Sequence, residues 1–196
     1  LFVEGHLHCL FDWIRVDIHR RANLLPDRFK AIVEGVIGLV EDGYNVNFLE
    51  LTATRKALEQ YGYRYRLLTL DEGHDNFLFT GLWKKHAHVY EFLQSGQCLA
   101  ELTDSGSMPE ELNVIDEAIC LTTRFNTDRP ETVFDAKTNL LVPPVSGDYV
   151  TEMVEYVAET DDVREEIQSG PTLYGENVGE QIVDFLAERQ DDVPFD

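Results

Sequence analysis

Apolar positions along the chain change period many times. Residues 13–18 (WIRVDI) form a short strand-like run. In 26–42 the apolar residues fall at 29, 32, 33, 36, 37, 39 and 40, a helical stripe with Pro26 in its first turn and Gly43 as its stop. A strand is predicted at 46–51, a short helix at 52–61 capped by Thr52 or Thr54 and stopped by Gly62, and a third strand at 65–70. A looser stretch covers 71–82, and 84–94 is helical, ending near Gly96. Strands follow at 97–102, 118–121 and 139–142, separated by a short helix at 107–114, a loop at 122–129 and a helical turn at 130–135 with Pro130 at its start. Three helical segments close the chain, at about 147–159, 161–168 and 176–190.

Short apolar strands alternating with helices predict a parallel sheet covered on both faces. Six strands in βαβ order give an α/β, doubly wound, Rossmann-like domain. No linker, repeat or low-complexity segment divides residues 1–196, so a single domain is expected. In such sheets ligands bind beyond the carboxyl ends of the strands. That rule directs attention to the residues after Ile18, Leu102 and Leu121.

Charge narrows the choice of partners. The chain has 16 Lys plus Arg against 37 Asp plus Glu, a net charge of −21. Nucleic acid and anionic membrane are poor partners for such a surface. Hydrophobic residues still make up 43%, which is not a disordered composition. Only 5 of the 16 cations are Lys, and the acids are spread along the whole chain. This favours a halophilic protein, soluble where salt screens self-repulsion, over an ordinary acidic one. No apolar run reaches the length of a spanning helix, and residues 1–10 lack the features of a signal peptide.

Cys9, Cys98 and Cys120 are odd in number, and the last two sit in apolar runs, which predicts buried reduced thiols in a cytoplasmic protein. No zinc-type spacing is present. His6 with His8, on an apparent strand, and His86 with His88 offer two-residue spacings, more often surface or interface histidines than metal ligands. No metal or cofactor is expected.

The three strand ends carry distinctive residues. After Ile18 comes His19-Arg20-Arg21-Ala22-Asn23, a group able to hold a phosphate or shuttle a proton, or else a solvated basic turn. After Leu102 comes Thr103-Asp104-Ser105-Gly106-Ser107, small enough for backbone N–H groups to approach an anion, though any helix cap looks similar. Glu110 and Glu111 follow, as first-turn acids or as acceptors for ribose hydroxyls. After Leu121, Arg124 and Arg129 lie within six residues, close enough to reach one diphosphate.

Taken together, the motifs DIHRRAN (17–23), LTDSGSMPEE (102–111), TDRPETV (127–133) and LYGENVGEQIVDFL (173–186) give the chain a marked family likeness. From about 13 to 190 it resembles the carboxyl-terminal, nucleotide-binding domain of UDP-N-acetylglucosamine 2-epimerases, one half of a GT-B fold. Those proteins carry HRREN, LTDSGG-x-QEE, TERPE and YGDG in the same order. The chain departs from that pattern at Ala22, Ser107 and Pro109, and 50–52 replaces a PVH-type strand end. The resemblance implies that His19 sits by the diphosphate and sugar as the catalytic residue. It implies that Arg20, Ser105, Gly106, Ser107 and Arg129 contact the diphosphate, and that Glu111 binds the ribose. It implies a UDP-sugar substrate, interconversion of UDP-GlcNAc and UDP-ManNAc, and a homodimer for the full-length protein. The acid–base carboxylates would come from a preceding domain of roughly 170–190 residues. A GT-B glycosyltransferase half, or a non-catalytic domain binding a nucleotide or partner chain, are the alternative readings.

Overall fold

The computed structural model describes residues 12–115 and 117–189. His6, His8 and Cys9 lie outside these residues. In chain order the elements are β1 (Trp13–Asp17), α1 (Pro26–Glu41), β2 (Asn45–Leu49), α2 (Thr52–Gln60), α3 (Arg64–Gly73), β3 (Phe77–Thr80), α4 (His86–Leu93), β4 (Cys98–Thr103), α5 (Met108–Val114), β5 (Ile119–Thr122), α6 (Pro130–Phe134), β6 (Asn139–Leu141), α7 (Gly147–Glu159), α8 (Asp161–Gln168) and α9 (Val178–Glu188). The six strands are all parallel, in the order β3-β2-β1-β4-β5-β6. The order reverses between β1 and β4, which creates the crevice where ligands bind in this class of sheet.

The third strand is not where periodicity predicts it. Residues 65–70 belong to α3, and β3 lies in the stretch expected to be loose. The run YRYRLLTL has strand-like composition, but Leu67 and Leu70, one turn apart, are the residues it buries. β3 is a four-residue edge strand bonded only to β2, and its middle residue Leu78 is 45% exposed. Its amides are partly satisfied by side chains: the Phe79 N–H donates to Asp71 Oδ1 at 2.8 Å. Asn47 Nδ2 donates to the Leu78 carbonyl at 3.1 Å and to Thr80 Oγ1 at 2.9 Å.

Both faces of the sheet are covered. On one, Ile14, Val16, Val46, Phe48, Leu102 and Leu121 pack with α1 and α7 into the main core. Close approach of those two helices depends on missing side chains. A Cβ on Gly35 would stand 2.7 Å from Val150 Cβ, and one on Gly38 would stand 2.7 Å from Thr151 Oγ1. Thr151 Oγ1 donates across the seam to the Gly35 carbonyl at 3.0 Å. On the other face Cys98 and Cys120 pack with Val89, Leu93, Met108 and Leu112 of α4 and α5. Both thiols are free and buried, and burial pushes their pKa well above the ordinary thiol value.

That second face also holds a buried ion pair. β4 skips one residue against β1, so Glu101 falls opposite Arg15. Arg15 Nη1 donates to Glu101 Oε1, and the guanidinium carbon lies 5.3 Å from the centre of the Trp83 ring. Burial raises the pKa of the Glu101 carboxyl, against the pull of Arg15. Among the described residues no helix is long and apolar enough to cross a membrane.

Candidate functional site

Three loops leave the carboxyl ends of β1, β4 and β5, and one carboxylate joins the first two. Asp104 follows β4 and is fully buried. It accepts hydrogen bonds from the backbone N–H of His19 at 3.0 Å, from that of Arg20 at 2.9 Å and from Asn23 Nδ2 at 3.2 Å. Asn23 Nδ2 also donates to the Thr123 carbonyl at 2.7 Å, bringing in the third loop. Strand-type bonds continue beneath: Asp104 N to the Asp17 carbonyl at 3.3 Å, and Thr123 N to the Thr103 carbonyl at 2.8 Å. Burial raises the pKa of the Asp104 carboxyl, while the two backbone N–H donors hold it down. The basic turn 19–23 is therefore set by a specific clamp.

His19 sits above this clamp, 37% exposed. Its Nδ1 lies 3.2 Å from Asp17 Oδ1 and 3.4 Å from Asp104 Oδ1. The hydrogen bond to Asp17 raises its pKa above the ordinary histidine value; burial opposes this and the charge of Asp104 adds to it. The ring is thus biased toward the cationic form, with Nε2 available to an anion.

In the loop after β4, Ser105 N donates to Thr103 Oγ1 at 3.0 Å, and Ser107 N lies 3.3 Å from Ser105 Oγ. These two amides are engaged within the loop. Arg20 reaches across Gly106: a Cβ there would stand 2.6 Å from Arg20 Nη2 and 3.3 Å from Asp128 Oδ2. A side chain at 106 would therefore push this guanidinium away from the loop.

Arg129 and Glu111 have other neighbours. Arg129 Nε donates to Glu110 Oε1 and its Nη1 to the Asp128 carbonyl, so its guanidinium is largely engaged by protein. Glu111 Oε2 is buried without a hydrogen-bond partner among the described residues. His86 Nε2 stands 3.3 Å from it but out of hydrogen-bond alignment. The Tyr90 hydroxyl is a second neighbour: burial, with the Glu111 carboxylate beside it, raises the Tyr90 pKa. A buried acceptor of this kind suits a hydroxyl donor. Further along, Asn113 Oδ1 accepts from Leu173 N at 2.7 Å, and Tyr174 OH donates to Glu131 Oε1 at 3.2 Å. These bonds tie the LYGEN turn to α5 and α6.

The structure thus brings His19, Arg20, Ser105, Gly106 and Ser107 to the crevice between β1 and β4. It sets Glu111 on α5 beside His86, and Arg129 against Glu110. Sequence reasoning gave no role to Asp17, Asn23 or Asp104, which hold the basic turn in place. Their signal was present: two of them lie inside the quoted motifs 17–23, and Asp104 is the acid of LTDSG.

No family model matches the chain, and no curated protein matches it by sequence. Solved structures do match. One is the UDP-GlcNAc 2-epimerase of Neisseria meningitidis bound to UDP-GlcNAc, with a TM-score of 0.74 and 23% identity, covering 90% of this chain and 45% of that one. A second is the UDP-GlcNAc 2-epimerase of Methanocaldococcus jannaschii in complex with UDP-GlcNAc and UDP, with a TM-score of 0.71 and 25% identity over 90% of this chain and 45% of that one. A third is the S. aureus MnaA–UDP complex, with a TM-score of 0.71 and 16% identity over 93% of this chain and 47% of that one. This chain spans less than half the length of each, and its six-stranded parallel sheet has the fold of one domain of those epimerases.

Proposed function

We propose that this chain, a domain with the fold of one half of UDP-GlcNAc 2-epimerases, is the UDP-binding half of such an enzyme. It would act on UDP-GlcNAc and UDP-ManNAc together with a second domain. The observation that carries this reading is the clamp: Asp104 holds the HRR turn and the DSG loop together at the reversal point of the sheet. A diphosphate in that crevice meets the cationic His19 ring, the Arg20 guanidinium and the backbone of Gly106. Charge developing on departing UDP is stabilised by groups already in place, which is the cheapest way to stabilise it. Glu111 offers its carboxylate oxygen to a ribose hydroxyl. Arg129 acts through Glu110, keeping that acid turned away from the phosphates. Proton transfer at the sugar belongs to the other domain, so the isolated chain is expected to bind without turnover.

Calorimetry of the chain in molar KCl tests the reading. UDP is expected to bind, and UMP more weakly. Arg20→Ala removes a charge-assisted contact worth about 1.5–3 kcal/mol, or roughly 10- to 150-fold in affinity. Arg129→Ala has a smaller effect, because its guanidinium is already shared with Glu110. Absence of UDP binding at millimolar ligand, or an Arg20→Ala variant with unchanged affinity, overturns the proposal.

A further inference from the structure

On the α1 side of the same strand ends lies a cavity of about 440 Å³. Four arginines from three segments line it: Arg20 and Arg21 from the turn after β1, Arg28 from the first turn of α1, and Arg124 from the loop after β5. Phe125 forms part of the wall, and the Arg28 guanidinium carbon lies 4.7 Å from the centre of its ring. Arg124 is paired with Asp128 at 2.7 Å. Among the described residues, Arg20, Arg21 and Arg28 form no ion pair, although Arg15, Arg55, Arg64, Arg66, Arg129 and Arg164 each do.

That arrangement runs against the composition. The chain has 37 acids for 16 cations, so counter-charge is abundant. Yet a quarter of its cations converge on one cavity whose lining holds no carboxylate; Asp128, at its edge, pairs with Arg124 and lies near Arg20, which leaves Arg21 and Arg28 without a counter-charge among the described residues. Converging like charges cost free energy unless an anion completes the group. One carboxylate is satisfied by a single guanidinium fork, whereas forks arriving from several directions match a phosphate with its three terminal oxygens. The volume exceeds what inorganic phosphate needs and falls within the range of small-molecule pockets, about 300–1,000 Å³.

The geometry points to a second anion site, distinct from the crevice at Gly106, that takes a phosphorylated small molecule. The phosphate is held by Arg20, Arg21, Arg28 and Arg124, and the organic part lies against Phe125. Arg20 touches both sites, since it also lies over Gly106. The inference does not rest on the UDP reading.

Inorganic phosphate is the probe, followed by ³¹P NMR and calorimetry on the whole chain, first alone and then with UDP added to saturation. One phosphate per chain is expected to stay bound once UDP has saturated the crevice. Arg28→Gln should weaken phosphate binding roughly tenfold or more, as loss of one charge-assisted contact does. It should leave UDP affinity within about twofold, and Arg28→Lys should recover part of the phosphate affinity through the retained charge. No phosphate binding at tens of millimolar, stoichiometric displacement of phosphate by UDP, or unchanged phosphate affinity in both Arg28 variants overturns the inference. Phosphate bound by a chain that ignores UDP upholds it and removes the UDP reading instead.

Discussion

At the scale of single residues, His19 and its carboxylates make the sharpest chemistry. A hydrogen bond from the ring to Asp17 holds the imidazole pKa above its ordinary value of 6.5. A histidine raised in the folded state stabilises the fold fully below pH 6.5. That contribution disappears as pH rises through the folded-state pKa. Ring-proton NMR should therefore show His19 titrating above 6.5, and Asp17→Asn should move the midpoint down. If the midpoint stays where it was, the Asp17 bond is not the cause. On the proposed UDP reading, UDP affinity should decline across the same pH interval, because the protonated ring is the form that would attract a diphosphate. That His19 and the arginines beside it stand at a strand end was legible from the motif, because the run follows directly on a short apolar strand. The Arg15–Glu101 pair was not legible. Nothing in WIRVDI says what meets Arg15: both faces of the sheet are covered, and only the register of β4 brings the counter-charge opposite it.

Among the elements, α1 and α7 illustrate how packing overrides propensity. Gly35 sits inside α1, where alanine would gain about 1 kcal/mol of helix propensity. The added Cβ, however, would meet Val150 Cβ at 2.7 Å and the Gly147 carbonyl at 3.0 Å. Overpacking of this kind costs about 1–3 kcal/mol, so Gly35→Ala should be destabilising by up to about 2 kcal/mol in urea unfolding. Gly73, at the end of α3, has open space around it. Gly73→Ala should be neutral or slightly stabilising, and equal losses at both positions would refute the packing argument. The stripe of α1 was plain in the sequence because sixteen residues carry more than four turns of period. α3 and β3 were misread because ten and four residues are too few to separate periods of 3.6 and 2. Their state is set by what they touch: Leu67 and Leu70 by the core, Phe77–Thr80 by β2.

For the molecule as a whole, the net charge of −21 sets the response to salt. Screening shortens from about 10 Å at 0.1 M to about 3 Å at 1 M. Salt weakens exposed pairs such as Lys137–Glu166 and Arg66–Glu34, which contribute little in water to begin with. It also relieves repulsion summed over the whole surface, which outweighs those few pairs. The melting temperature should rise steeply from low to molar KCl, and a flat or falling curve would contradict the expectation of a halophilic protein. The sheet order has one more consequence, in time. Asn23 and the Thr123 carbonyl that it bonds are 100 residues apart. At the roughly 5–20 residues per second of protein synthesis, about 5–20 seconds separate their appearance. For most of that interval, until β4 and Asp104 are made, β1 lacks its second neighbour and the basic turn exists without the carboxylate that will fix it. A nascent chain of this protein has helices and a partial sheet well before it has anything with which to recognise a ligand.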